Sequence, residues 1–169
     1  VVSPPPLTPL AAAVLHVGGP ERILQLECGE GDGALFLARE FPSARVRGID
    51  RSAEAVRRAA GRVGLDPEGR IAFKQDGPRS ISFPDDHFDL LAALDARPSP
   101  AEAARVLRPG GFLVLAVARG DDPLGGLGGA LFRRRLVRRG FEPIWTEAAG
   151  DGSFLVCRLR GGGPIVDSL

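Results

Sequence analysis

Ile23-Leu24-Gln25-Leu26-Glu27-Cys28-Gly29-Glu30-Gly31-Asp32-Gly33, running on into Ala34-Leu35-Phe36-Leu37-Ala38, decides how this chain is read. It opens as a short apolar run, Ile23 to Leu26, with the pattern of a buried strand. Glycines at every second position interrupt it. Beyond them Leu35, Phe36, Ala38 and Phe41 keep the spacing of a helix with one apolar face. A strand, a glycine turn and a helix in that order let backbone approach a ligand closely, with the free N–H groups of the helix start pointing into the gap.

Two ligand classes fit such a turn. Gly29, Gly31 and Ala34 satisfy G-x-G-x-x-G/A, the dinucleotide fingerprint of NAD(P)-dependent oxidoreductases. The residues between the glycines argue the other way. Glu27, Glu30 and Asp32 set carboxylates beside the turn, and like charges a few Å apart repel a pyrophosphate by more than ~1 kcal/mol each. A cationic ligand suits the turn better. The alternating Glu27-x-Gly29-x-Gly31-x-Gly33 pattern resembles motif I of the class I S-adenosylmethionine-dependent methyltransferases, whose ligand carries a sulfonium and an ammonium group and no phosphate. Asp32 also serves the plainer role of a helix cap.

Composition sets the outer limits. A chain of 169 residues predicts a single domain over 1–169, with flexible ends at 1–9 and 161–169. Cys28 and Cys157 stand far apart without metal-ligand spacing, so no metal site is read and a reducing compartment is expected. The net charge of +1 predicts no strong pull on nucleic acid. With no apolar run of about 18 residues and no basic-then-apolar leader, the chain reads as soluble and cytoplasmic, with no membrane partner.

Taken in order, Leu10 to Val17 reads as a short helix stopped by Gly18-Gly19-Pro20, with His16 a lone structural or surface histidine. Val46 to Ile49 form a second strand ending in Asp50. A carboxylate about 20 residues past the glycine turn can accept hydrogen bonds from both ribose hydroxyls of an adenosine, and Asp50 or Ser52 also suits a cap for the helix Ala53 to Val63. The third strand, Ile71 to Gln75, ends in Asp76-Gly77. Phe83-Pro84-Asp85 and the fourth strand from Phe88-Asp89 resemble the "F-P-D…F-D" passage of small-molecule methyltransferases, with His87 an exposed turn residue. Asp95, just beyond Leu94, is the one nearby candidate base. Helical Ala101 to Leu107 leads to Arg108-Pro109-Gly110-Gly111, which resembles the family's "R-V-L-K-P-G-G" segment and predicts a sharp turn into a strand Phe112 to Val117. Ala130 to Arg139 reads as a helix with a solvated arginine face and Leu131, Phe132, Leu136 and Val137 as its apolar side. Phe141 to Ala148 and Phe154 to Leu159 form a hairpin about Gly150-Asp151-Gly152.

Alternating strands and helices imply a parallel α/β sheet with helices on both faces. The resemblance implies a Rossmann-like three-layer sandwich, a seven-stranded mostly parallel sheet with an antiparallel C-terminal strand, in the order 3-2-1-4-5-7-6. It also implies S-adenosyl-L-methionine as cofactor and a small-molecule methyl acceptor. Glu27, Gly29, Gly31 and Gly33 would then take the methionine and ribose portions, Asp50 the ribose and Asp76 the adenine. Cys28, Arg51, Gly77 and Leu94 complete the expected cofactor contacts. A non-catalytic scaffold that keeps the cofactor fold remains the third reading, because the loops at Asp95–Pro100 and Gly120–Gly129 are short; a protein partner or a second copy of the chain is left open.

Overall fold

Each apolar run that precedes a helix in the first two-thirds of the chain becomes a parallel strand in the computed structural model, which describes residues 6–161. These strands are β1 (Arg22–Leu26), β2 (Arg45–Asp50), β3 (Ile71–Gln75), β4 (Phe88–Leu94) and β5 (Leu107–Val117). A hairpin follows, β6 (Phe141–Ala149) and β7 (Gly152–Leu159), with β7 antiparallel to both β5 and β6. The sheet order is β3-β2-β1-β4-β5-β7-β6, as the resemblance implied. The helices are α1 (Thr8–Ala13), α2 (Asp32–Glu40), α3 (Ala53–Gly61), α4 (Pro100–Val106) and α5 (Gly129–Arg138).

Alternation along the strands builds two cores. Leu24, Leu26, Leu91, Leu113 and Leu155 face one side and pack with Ala103 and Val106 of α4 and Leu136 of α5. Ile23, Leu90, Val114, Phe154 and Val156 face the other and pack with Leu10 of α1 and Leu37 of α2. The capping chemistry is local. Ser52 Oγ accepts the Ala55 N–H at 3.2 Å to start α3, so Ser52 rather than Asp50 is the cap. Ser99 Oγ accepts the Glu102 N–H at 3.4 Å to start α4, where Pro100 loses nothing by lacking an N–H.

Four expectations need correction. The lead expected to be flexible through Pro9 is already helical at Thr8, because Pro9 and Leu10 bury against the sheet; residues 1–5 and 162–169, the rest of the expected loose ends, lie outside the described residues. Arg108-Pro109-Gly110-Gly111 does not turn the chain before β5 but bulges inside it. Phe88 pairs with Leu107 and Leu90 with Phe112, so the bulge absorbs the extra residues, with Gly110 at φ 83°. A Cβ on Gly111 would lie 2.9 Å from the Arg108 carbonyl oxygen, which explains the glycine. Third, α5 buries only Leu136 fully and leaves Leu131 and Val137 about half exposed. Fourth, His87 is half-buried, stacked edge-on to Phe88 with centroids 4.8 Å apart, and burial lowers its pKa.

Candidate functional site

The glycine turn does its work at residues 27, 29 and 31 rather than 29, 31 and 33. Glu27 (φ 50°), Gly29 (φ 53°) and Gly31 (φ 92°) are left-handed, whereas Gly33 is already inside α2. For Glu27, which has a side chain, that backbone costs about 1 kcal/mol or more.

The three glycines have different duties. A Cβ on Gly29 would meet nothing within 4 Å, so this is the one of the three that faces open space. On Gly31 it would sit 3.0 Å from the Phe73 ring and 3.1 Å from the Ala59 Cβ. Gly31 therefore lets β3 and α3 close on the turn. On Gly33 it would collide with the Gln25 side-chain amide. Gln25, a polar break in an otherwise apolar strand, is 3% exposed, and its Oε1 has no hydrogen-bond partner among the described residues. Protein atoms thus occupy the space a side chain would take at Gly31 and Gly33, so packing by itself accounts for both glycines. Cys28 is buried as well. Burial first, and the Asp50 charge second, push its thiol up to about 12.

The remaining expected residues converge on the carboxyl tips of β1, β2 and β3. Asp50 Oδ2 accepts the Gly29 N–H and Oδ1 the Ser52 N–H, both at 2.9 Å. Arg51 Nε lies 3.1 Å from Glu27 Oε1, and a Cβ on Gly77 would lie 3.9 Å from Arg51 Cγ. Asp76 donates its backbone N–H to the Asp50 carbonyl at 3.0 Å, and its carboxylate takes the N–H groups of Gly77 and Ser82.

Electrostatics differ from what the acids alone suggested. Glu30 pairs with Arg58 at 2.8 Å, Asp32 with Arg62 at 2.9 Å and Glu27 with Arg51. Each acid of the turn thus meets an arginine, one from α3 and one from its C-cap, and the surplus of negative charge is largely cancelled. Sequence spacing could not reveal these partners, because α3 reaches the turn only through the β2 crossover.

Leu94 is 8% exposed at the tip of β4, and Asp95 after it is left-handed at φ 55°. Asp95 Oδ1 accepts the Ala118 N–H at 2.9 Å, closing β4 onto the end of β5. Here a cavity of about 340 Å³ is lined by Asp95, Arg97, Val117, Asp122 and Pro123. Arg97, which no motif marked, donates to the Gly125 carbonyl at 2.7 Å and to that of Pro123 at 3.2 Å, and so holds the 119–128 loop at the cavity rim. A second cavity of about 410 Å³, between Gly18–Glu21 and Arg108–Phe112, lies at the opposite end of the sheet, away from the strand tips where ligands of open α/β sheets bind.

Residues 23–111, more than half of the chain, match the family model described as a methyltransferase domain. The chain belongs to the methyltransferase domain family. The methyltransferase domain is 35% identical over 118 residues to a fatty-acid O-methyltransferase of Mycolicibacterium smegmatis, a match that covers 64% of this chain and 40% of that protein. The matches span 40% to 51% of the length of the first curated relatives. An S-adenosylmethionine-dependent methyltransferase from Aquifex aeolicus has the same fold, with a TM-score of 0.73 at 17% identity over 90% of each chain. So does the [4+2]-cyclase SpnF, with a TM-score of 0.71 at 22% identity, covering 92% of this chain and 81% of that one. Fold alone therefore does not fix the reaction. Membership in a methyltransferase family sets the nicotinamide reading aside.

Proposed function

We propose that this methyltransferase domain holds S-adenosylmethionine across the tips of β1, β2 and β3 and passes its methyl group to a small-molecule acceptor at the tip of β4. The observation that carries the reading is the open Cα of Gly29 beside the Asp50 carboxylate, at the end of β1 where the sheet order reverses. When bound, the cofactor supplies a methyl group already activated by its sulfonium.

The chain's own residues do the rest. Asp50 is held rigid by two backbone N–H groups, one per oxygen, and each oxygen keeps a lone pair for a ribose hydroxyl. Gly29, without a side chain, lets the cofactor lie against the backbone of the turn. Glu27, fixed in a left-handed conformation with its carboxylate against Arg51, would hold the methionine end. Asp76 accepts the Ser82 N–H, bracing the loop between them, and would hold the adenine. Asp95 accepts the Ala118 N–H with one oxygen and lines the cavity, where its second oxygen would be available to orient an acceptor or take its proton. With the leaving group already activated, alignment of nucleophile, methyl carbon and sulfur is the main catalytic task.

The name of the fatty-acid relative supports an apolar acceptor. Incubation with methyl-labelled cofactor and a panel of fatty acids, quinones and phenols tests the proposal. Label in an organic-extractable product supports it; cofactor binding without turnover on any acceptor favours the scaffold reading.

A further inference from the structure

Two helices of this domain carry arginines in quantity, and they treat them differently. On α3, Arg58 pairs with Glu30 and Glu54, and Arg62 at its C-cap pairs with Asp32. On α5, Arg133, Arg134, Arg135 and Arg138, with Arg139 at its C-cap, have no carboxylate within ion-pair reach among the described residues. The helix itself contains no acid. Four cations on one short helix and a fifth at its cap repel one another unless something anionic lies over them.

Apolar side chains sit among those cations. Leu131 is 51% exposed, Val137 52%, and Leu127, just ahead of the helix, 103%. At helical spacing Leu131, Arg134 and Arg138 share one side, opposite the buried Leu136. Arg135, Arg138 and Arg139 also border a cavity of about 360 Å³ with Ser99, Pro100 and Ala101, room for one phosphate-sized headgroup. Next to α5 stands the acceptor cavity: Arg97, on its rim, lies over the Phe132 ring at 5.4 Å.

We propose that the outer face of α5 docks on an anionic phospholipid surface, arginines on the phosphates and Leu127, Leu131 and Val137 in the acyl boundary. A basic helix with interleaved exposed aliphatics is the pattern of an interfacial helix, which lies on a bilayer and needs no spanning segment. No helix of the described residues is long and apolar enough to cross a membrane. Nucleic acid fits this face less well. It would use the arginines but leave the aliphatics without a partner, and α5's one aromatic ring, Phe132, is packed against the core under Arg97. Docking there sets the rim of the acceptor cavity beside the bilayer, where an apolar acceptor dissolves; this last step rests on the proposed function.

The test is sedimentation of the full chain with vesicles of phosphatidylcholine alone and of phosphatidylcholine with phosphatidylglycerol. The expected result is at least about tenfold stronger partitioning onto the anionic vesicles. R134E/R138E should abolish that preference, and L131S should weaken binding that survives high salt, both with unchanged far-ultraviolet circular dichroism. Equal partitioning onto the two vesicles, or an unchanged preference in R134E/R138E, overturns the proposal. Tighter binding to a DNA duplex than to anionic vesicles, lost in the same variant, also overturns it and assigns the face to nucleic acid. S-adenosylmethionine binding, measured in parallel, separates this outcome from failure of the functional reading.

Discussion

Asp50 Oδ2 accepts the Gly29 N–H at 2.9 Å, and that bond ties the tip of β2 to the one glycine of the turn whose Cα faces open space. Shape and acceptor strength at the site therefore depend on the same carboxylate. Asp50→Asn keeps the size but replaces one charged acceptor oxygen by a donor. Affinity for S-adenosylmethionine should fall by about 2–3 kcal/mol in a calorimetric titration, with a smaller change in melting temperature. A change in affinity below twofold would reduce Asp50 to a turn brace.

Gly33 and Gln25 should behave as one unit. Gly33→Ala drives a methyl group into the buried Gln25 amide and should cost about 1–3 kcal/mol in urea unfolding. Gln25→Ala in the same chain opens the space, and the double variant should regain most of that loss. Strict additivity of the two single changes would contradict the packing described.

Stability at low pH should depend on Glu102. The Arg105 guanidinium, 2.9 Å away, is the main reason the Glu102 carboxyl is held below its usual value; the Ile81 N–H adds to this and burial opposes it. A lowered carboxyl pKa gives stability that is complete above the ordinary glutamate value near 4.5 and is lost as pH falls through the folded-state value. Arg105 also holds the Ile81 and Phe83 carbonyls, so the pair clamps the loop into β4. Glu102→Gln should cost about 1–2 kcal/mol at pH 7 and flatten the acid limb of the unfolding curve below about pH 4.5. An unchanged acid limb would place the titration elsewhere.

Neither cysteine should act as a nucleophile. Burial pushes both the Cys28 and Cys157 thiols up to about 12. At pH 8 a thiol-exchange reagent should modify both only at the rate of unfolding, and both at once in denaturant. Rapid reaction of Cys28 in the folded chain would mean that the turn opens more readily than its packing allows.

The fold was legible because hydrophobic runs and glycine breaks carry it: Ile23 to Leu26, Val46 to Ile49 and Phe112 to Val117 all lie within strands of the sheet. The site was legible only where chemistry sits at a strand tip, as with Asp50. What a glycine spares depends on what crosses it, and Phe73 over Gly31 and Gln25 against Gly33 are long-range facts that no spacing records. The arginines of α3 likewise cancel acids that looked unopposed in sequence, so the argument from charge was sounder about residue types than about net field. Arg97 stayed hidden for the same reason: its partners are carbonyl oxygens of Pro123 and Gly125, which every residue type supplies.

The central claim is that the hollow formed by Glu27, Gly29 and Asp50 takes the adenosine of S-adenosylmethionine. Calorimetric titration of the chain with S-adenosylmethionine and, separately, with NADH tests it most directly. The account predicts saturable one-site binding of S-adenosylmethionine and no measurable heat from NADH. Binding of NADH with no response to S-adenosylmethionine would contradict it.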